Sequence, residues 1–201
     1  VAKYKQEEEL PTFGITPDSQ FPVTFLEREI LQVKLTGPGT NDFILQGGTA
    51  ANVVPAKAHF KSADRELNVD GKSSHAMNPS SGINAISKLV KELDGVDHPM
   101  INFIRDEVNN EINGETLFDK LIEDQYAQIT ANLAVADFGP EKTTLIIDSR
   151  IPTTSDSKEI LSIYQSKADK YGYTAEIHKN SKQVYIPEDN WIIQDLQECY
   201  R

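Results

Sequence analysis

A polar turn that runs directly into an amphipathic helix constrains this chain most. Residues 71–82 are mostly small or polar and include one histidine, His75. Apolar residues then recur at helical spacing and predict a helix from about Gly82 to Leu93: Ile83, Ile86, Leu89, Val90 and Leu93. Ser80 or Ser81 is expected to cap its first turn. The imidazole is therefore expected on a loop held by a rigid element, although an ordinary surface histidine fits the same pattern.

The length and the ends of the chain bear on how much of a protein it represents. Its 201 residues suffice for one domain, or for one domain with pieces of another. The chain begins at Val1 and ends with Cys199-Tyr200-Arg201, within a predicted helix that starts near Asn190. We therefore expect a segment of a longer protein, in which any shared site is only partly visible.

Charge and cysteine content exclude several classes of function. The formal net charge of -11 repels phosphate backbones, so no nucleic-acid partner is expected. Cys199 is the only cysteine, which excludes an internal disulfide framework and a cysteine-rich zinc site. A reducing compartment fits this composition, and a cytoplasmic location is expected. No apolar run reaches the length of about 18 residues that a membrane span needs, so no membrane partner is expected.

The order of predicted elements indicates an α+β fold. Alternating or apolar runs predict strands at 30–36, 42–45, 56–62, 65–69, 128–136, 143–151 and 173–178. Helical spacing predicts helices at 82–93, 99–110, 116–122 and 156–171. Hairpin-linked strands beside separate helices favour an antiparallel sheet covered on one face, with a ferredoxin-like β-α-β-β-α-β core. Residues 94–127 exceed what that core needs and predict an added subdomain.

Two charged residues near the end of a predicted strand form a second candidate site. Asp148 and Arg150 are two positions apart, so their side chains point to the same face of the strand. One interpretation is a surface ion pair, which contributes little to stability. The other is a guanidinium aimed at a ligand carboxylate. Asp18, in a Pro-Asp-Ser turn, is open to the ordinary interpretation of an aspartate bonded to its own backbone.

Several segments together resemble one enzyme family. They are Gly-Thr-Ala-Ala-Asn-Val-Val-Pro at 48–55, Gly-Lys-Ser-Ser-His-Ala-Met-Asn-Pro at 71–79, Gly-Ile-Asn-Ala at 82–85 and Asp-Ser-Arg-Ile-Pro at 148–152. Residues 14–23, Gly-Ile-Thr-Pro-Asp-Ser-Gln-Phe-Pro-Val, resemble the family's Gly-Phe-Thr-Pro-Asp-Ala-Asp-Phe-Pro segment. The chain thereby resembles the dinuclear zinc peptidases of the Xaa-His dipeptidase type, also described as aminoacyl-histidine dipeptidases or dipeptidase V.

The resemblance implies a particular part of such an enzyme. Members have an α/β catalytic domain that holds two zinc ions and a lid domain inserted into it. By resemblance, residues 1–29 end a catalytic segment, residues 30–187 form the lid, and residues 188–201 begin the return. The family's first zinc histidine, bridging aspartate and glutamate pair would precede Val1, and its final zinc histidine would follow Arg201. Asp18 matches a zinc ligand, the one ligand that the resemblance assigns to this chain.

The resemblance also implies roles for three other residues in the hydrolysis of short peptides. His75 would reach from the lid to the oxyanion that develops on the scissile carbonyl. Arg150 would bind the terminal carboxylate of the substrate, and Asn52 would assist it. Lid closure would bring these groups to the metal centre, so the fragment alone is expected to be inactive. The enlarged lid resembles that of monomeric dipeptidases, so a monomer is expected, with a homodimer as the alternative.

Three rival hypotheses remain open at this point. The first is that the enzyme belongs to the same family but is an amino-acid deacylase or a carboxypeptidase rather than a dipeptidase. In a different class, the chain is a ferredoxin-like dimerisation module with no catalytic role. In the third, the catalytic half has lost its metal ligands.

Overall fold

A computed structural model describes residues 6–9, 14 and 21–200 of the chain. The strands are β1 (Leu26–Glu27), β2 (Glu29–Pro38), β3 (Phe43–Gly47), β4 (Lys57–Ser62), β5 (Glu66–Asp70), β6 (Thr130–Phe138), β7 (Lys142–Ile151), β8 (Thr174–Ser181) and β9 (Val184–Tyr185). The helices are α1 (Ala85–Glu92), α2 (Pro99–Phe103), α3 (Glu115–Phe118), α4 (Ser157–Asp169) and α5 (Trp191–Tyr200). A 3-10 turn spans Pro79–Ser81, and a π-helical turn, Ile104–Val108, continues α2.

The chain divides into two compact units. The larger unit is Arg28–Gln183 and contains β2 to β8 with α1 to α4. The smaller unit combines Val1–Glu27 with Val184–Arg201; within it β1 pairs antiparallel with β9. The lid boundaries of 30–187 stay a prediction.

The larger unit is built on a seven-stranded sheet in the order β5-β4-β3-β6-β7-β2-β8. Every neighbouring pair is antiparallel. Six of its elements occur along the chain in the order β-α-β-β-α-β, with other elements between some of them: β2, α1, β6, β7, α4 and β8. The four strands of this set lie in the sheet in the order β8-β2-β7-β6. This arrangement confirms the predicted α+β fold with a ferredoxin-like core, and β3 to β5 extend the sheet beyond β6.

Helices α1 to α4 pack on one face of this sheet, and the hydrophobic core lies between these helices and the sheet. Alternate residues of the central strands point into this core, among them Leu31, Val33 and Leu35 of β2. Their partners in the neighbouring strand β7 are Ser149, Ile147 and Leu145, respectively. On the helix side, Tyr164 of α4 is fully buried and its hydroxyl lies 2.8 Å from the Ser149 hydroxyl. Burying an apolar side chain such as Leu31, Val33 or Leu35 stabilises the fold by about 1.5–3 kcal/mol. The other positions of β2 and β7 therefore point to the opposite face of the sheet.

Helix α1 begins later than the sequence pattern predicts, and its cap is a different residue. Asn84 accepts hydrogen bonds from the backbone N–H of Ile86 at 3.0 Å and of Ser87 at 3.1 Å. Its side-chain amide also donates to the Leu133 carbonyl of β6 at 2.7 Å. The prediction of Ser80 or Ser81 as cap is wrong, because both lie in or at the end of the preceding 3-10 turn. Ile83, counted among the apolar residues of the predicted helix, precedes the helix and is 56% exposed.

The segment predicted as an added subdomain is short and is tied to α4 by a buried lysine. The predicted helix at 99–110 is the short α2 followed by the π-helical turn, and that at 116–122 is the single turn α3. Lys167, 6% exposed, donates to Glu107 at 2.7 Å, to Asp119 at 2.8 Å and to the Thr116 carbonyl at 3.2 Å. All three hydrogens of the ammonium group thus have acceptors, which a buried charge requires.

No helix in the described part of the chain is both long enough and apolar enough to cross a membrane.

The dual role of Asn84 gives a test of the fold. Asn84→Ala is expected to lower the free energy of unfolding by about 1–3 kcal/mol, because it removes both the helix cap and the bond to β6. Chemical denaturation monitored by circular dichroism measures the change. Ser81→Ala, at the cap position that the sequence suggested, is the control and should change stability by less than about 0.5 kcal/mol. Equal losses in the two variants would contradict this assignment of the cap.

Candidate functional site

The predicted Asp148–Arg150 pair lies on the face of β7 that points away from the helices, and it is buried. Nε of Arg150 donates to one carboxylate oxygen of Asp148 at 2.7 Å, and Nη2 donates to the other at 3.3 Å. The Gln32 side chain of β2 donates to the same carboxylate at 2.8 Å. The side chains of Arg150 and Asp148 are 9% and 0% exposed, so the interpretation as a surface ion pair is wrong. Among the described residues, Nη1 of Arg150 has no hydrogen-bond acceptor.

The loop that carries Asn52 is joined to this strand end by an asparagine of β6. Asn132 pairs with Asp148 in the sheet register, so both side chains point to the same face. Its side-chain amide donates to the Val53 carbonyl at 3.0 Å. Val53 in turn forms an isolated antiparallel bridge with His75. The structure therefore brings the Asn52 loop and the His75 turn to the buried ion pair.

The backbone around this bridge holds Asn52 and His75 on two neighbouring, hydrogen-bonded segments. The Ala76 N–H donates to the Asn52 carbonyl at 2.9 Å, and the Val54 N–H donates to the Ser74 carbonyl at 2.8 Å. The side chains of Asn52 and His75 are both exposed. Both are therefore accessible to a ligand, whereas Arg150 is almost fully buried.

The hydrogen bond to the His75 ring determines which nitrogen can donate. The Met77 N–H donates to Nδ1 at 3.0 Å, so this nitrogen carries no proton. In the neutral imidazole the proton therefore lies on Nε2. The turn is fixed further because the Asn78 N–H donates to the His75 carbonyl at 2.8 Å. His75 thus presents a single oriented N–H donor on an exposed ring.

Arg28, which the sequence analysis did not single out, completes the group. It lies immediately before β2 and donates from Nη1 to the Gln128 carbonyl at 2.9 Å and from Nη2 to the Met77 carbonyl at 3.2 Å. Burial and, next, the neighbouring Arg150 guanidinium lower the pKa of Arg28, against the opposing effect of Asp124 and Asp148. The sequence signal for Arg28 is its place in the alternation of β2. It lies two residues before Ile30 and four residues before Gln32, and both of these residues face the Asp148–Arg150 pair. Only the sheet register shows what those positions face.

Asp124 anchors the turn that precedes Gln128. Burial opposes ionisation of this carboxyl group, but hydrogen bonds outweigh it and lower its pKa. The donors are the backbone and hydroxyl of Thr153, each at 2.7 Å, and the backbone N–H groups of Tyr126 and Ala127, each at 2.8 Å. The same carboxylate therefore joins the end of β7 to the approach to β6.

The metal ligand that the resemblance implies is Asp18. Asp18 lies outside the described residues. Within the described residues, no group of three or more histidine, cysteine, aspartate or glutamate side chains is arranged to hold a metal ion. The described residues alone therefore do not fit a metal centre.

Comparison with known families identifies the chain. The family described as the peptidase dimerisation domain of M20 peptidases matches residues 58–176, more than half of the sequence. This chain belongs to the M20 peptidase family. The matched stretch includes His75 and Arg150, and Asn52 lies a few residues before it.

Individual relatives agree with this assignment. A Staphylococcus aureus (strain USA300) protein named "Putative dipeptidase" is 24% identical over 244 aligned residues, which cover 99% of this chain and 52% of that protein. The "Putative dipeptidase YtjP" of Bacillus subtilis (strain 168) is 24% identical over 243 residues, with coverage of 100% and 52%. The chain thus spans about half the length of the curated relatives it matches.

The lowered pKa of Asp124 predicts part of the acid sensitivity of the fold. A carboxyl group whose pKa is lower in the folded state adds stability that is complete above its unfolded pKa of about 3.8. That stability is lost as the pH falls through the folded pKa. In Asp124→Asn, the free energy of unfolding should therefore vary less with pH below about pH 4 than in the wild type, as measured by denaturation at a series of pH values. Asp94→Asn, at an exposed position, is the control, and an equal flattening there would refute the assignment.

Proposed function

We propose that this chain is the lid portion of a zinc-dependent dipeptidase that hydrolyses Xaa-His or other short peptides. Membership of the M20 peptidase family and the dipeptidase names of the relatives support a peptidase. The observation that carries the proposal is the contact from Asn132 to Val53, which joins the Asn52 loop and the His75 turn to the strand end at Arg150. The backbone segments that carry these three candidate residues are thereby joined near one end of β7, which supports the proposal.

In this proposal His75 stabilises the oxyanion that forms on the scissile carbonyl. Its Nε2–H points away from the hydrogen bond at Nδ1, and the ring is exposed. A donor whose tautomer is already fixed does not need to reorganise as negative charge develops. Removing one such donor from an enzyme typically costs about 3 kcal/mol in the transition state.

Arg150 and Asn52 would bind the terminal carboxylate of the peptide. Arg150 uses Nε and Nη2 on Asp148, so its remaining Nη1 would donate to the substrate while Asp148 keeps the guanidinium in place. The exposed amide of Asn52 would add a second donor. A carboxylate held at a fixed distance from His75 would select substrates by length, because only one peptide bond would then reach the imidazole.

The metal would be held mainly by residues outside the described part of this chain. Two zinc ions would supply a polarised carbonyl and an activated water when bound. Asp18 is the one ligand that we assign to this chain, and the remaining ligands would come from the rest of the full-length protein. The fragment alone is therefore expected to be inactive, and the compartment that we propose is the cytoplasm.

The fold also bears on the proposed oligomeric state. In a four-stranded ferredoxin-like core β6 would be an edge strand, but here β3 pairs with it along residues 136–138 and loop groups contact the rest. The remaining edge strands, β5 and β8, carry charged residues that discourage pairing between molecules: Glu66, Asp70, Glu176 and Lys179. We therefore favour a monomer, and sedimentation of the full-length protein would reveal a homodimer instead.

A second candidate function is a dimerisation module without a catalytic role. The description of the matching family names dimerisation and supports this alternative. A deacylase or carboxypeptidase of the same family is a third candidate. Hydrolysis rates for a panel of dipeptides, tripeptides and N-acyl amino acids distinguish the enzymatic alternatives from one another. The variants His75→Ala and Arg150→Lys distinguish these enzymes from the dimerisation module.

Removing the imidazole tests the oxyanion role. In the full-length enzyme, His75→Ala should lower kcat for a dipeptide by about 100- to 1,000-fold, with a smaller change in KM, because the donor acts on charge that develops in the transition state. Steady-state kinetics measure both constants. His178→Ala, an exposed histidine on β8, is the matched control. Equal turnover in all three proteins would favour the dimerisation module.

Changing the guanidinium tests carboxylate recognition. Arg150→Lys should raise KM by about 10- to 100-fold for a dipeptide with a free carboxylate, because a lysine cannot bind Asp148 side-on and the substrate at the same time. For the same dipeptide amidated at its C-terminus the change should be small. Thermal unfolding verifies that the variant is folded. An equal loss for both substrates would show that Arg150 does not bind the carboxylate.

A further inference from the structure

The side chain of Arg28 crosses the end of the central strand of the site. In the sheet register, Arg150 of β7 pairs with Ile30 of β2 and with Thr130 of β6. Arg28 and Gln128 each lie two residues before these partners, and Nη1 of Arg28 donates to the Gln128 carbonyl at 2.9 Å. Since β7 lies between β2 and β6, the side chain of Arg28 extends past the end of β7 beyond Arg150 to reach this carbonyl, across two strand spacings of about 10 Å in total.

The same guanidinium also contacts the His75 turn. Nη2 of Arg28 donates to the carbonyl of Met77 at 3.2 Å, and the N–H of Met77 donates to Nδ1 of His75 at 3.0 Å. One residue, Met77, therefore receives the guanidinium on its carbonyl and orients the imidazole with its amide. Arg28 in this way contacts both the segment that leads into β6, at the end of the sheet where Arg150 lies, and the turn that carries His75.

The chemistry of the two acceptors explains why an arginine occupies this position. Both are neutral backbone carbonyls on different segments, and the planar fork of a guanidinium can donate to two such groups at once, whereas an ammonium group is a single point. Among the described residues, no carboxylate forms an ion pair with Arg28. Its contacts therefore serve to hold backbone segments together rather than to neutralise an acid.

We propose that Arg28 is a positioning residue that holds the His75 turn against the Arg150 end of the sheet and so sets the separation of imidazole and guanidinium. Its effect on activity rests on the proposed function, because that function needs both groups at a fixed distance along one peptide. The tie itself exists in this chain whether or not the full-length protein is a dipeptidase. The two statements are therefore tested by different measurements.

Amide hydrogen exchange tests the tie directly. In the 201-residue chain, Arg28→Met should speed exchange of the Met77 amide by about tenfold or more, because the turn loses the bond to its carbonyl. Nitrogen-15 NMR of the His75 ring should show Nδ1 changing from one unprotonated acceptor state to a mixture of tautomers. Arg105→Met is the matched control. Like Arg28, Arg105 donates from both Nη1 and Nη2, but to the Asn102 side chain and the Leu93 carbonyl in the helical part of the unit.

Arg28→Lys keeps the charge and guards against a failure of Arg28→Met to fold. It can reach one of the two carbonyls, so the exchange rate of the Met77 amide should lie between those of the wild type and Arg28→Met. If the Met77 amide and the His75 ring are unchanged in the folded Arg28 variants, the proposal is overturned. Faster exchange at Met77 in Arg105→Met would overturn it as well, because the effect would then not be specific to Arg28.

Kinetics of the full-length enzyme test the consequence for substrate length. Arg28→Met should lower kcat/KM for a dipeptide by about 10- to 100-fold and reduce the preference for dipeptides over tripeptides, whereas Arg105→Met should leave both unchanged. An unaltered length preference in Arg28→Met would overturn the positioning role. If His75→Ala leaves turnover unchanged, the proposed function fails, while the exchange measurements still decide whether Arg28 holds the turn.

Discussion

The buried carboxylate of Asp148 is the group on which the arrangement of the site depends. A charge with no solvent exposure must be matched by donors, or the folded state loses several kcal/mol. Here the donors come from its own strand, through Arg150, and from the neighbouring strand, through Gln32. A register shift of one residue in either strand would turn these groups to the hydrophobic face. The pair therefore fixes the alignment of β2 and β7 at the end of the sheet where the candidate residues lie.

Two asparagine side chains then connect the sheet to the segments that carry the other candidate residues. The pairing of β3 with β6 covers only residues 136–138, so the rest of that edge needs other partners. Asn132 meets the loop at Val53, and Asn84 caps α1 while it donates to Leu133. Asn132 thus links the uncovered part of β6 to the loop whose Val53 bridges His75. The side chains that cover this edge of the sheet therefore also contribute to the geometry of the proposed site.

Much of the fold was predictable because strand and helix periodicities are local. The hairpin of β4 and β5, the pair of β6 and β7, and α4 all lie close to their predicted ranges. The start of α1 was not, because the serines at 80 and 81 have the right chemistry for a cap but belong to a separate 3-10 turn. The segment 99–110 was predicted as one helix, but its hydrogen bonds change from α to π after Phe103. The π-helical turn carries Glu107, which forms an ion pair with the buried Lys167 of α4, and local periodicity does not encode this contact.

The sequence by itself determined the order of strands and helices, the α+β class, and the candidate residues His75, Asn52 and Arg150. Only the tertiary structure decided that the Asp148–Arg150 pair is buried and that Arg28 joins the group. The reason is the length of chain between the partners. Arg28 and Gln128 are 100 residues apart in sequence, and Gln32 and Asp148 are 116 apart. Contacts over such distances depend on which strands pair and in what register, and a single sequence carries no local signal for either.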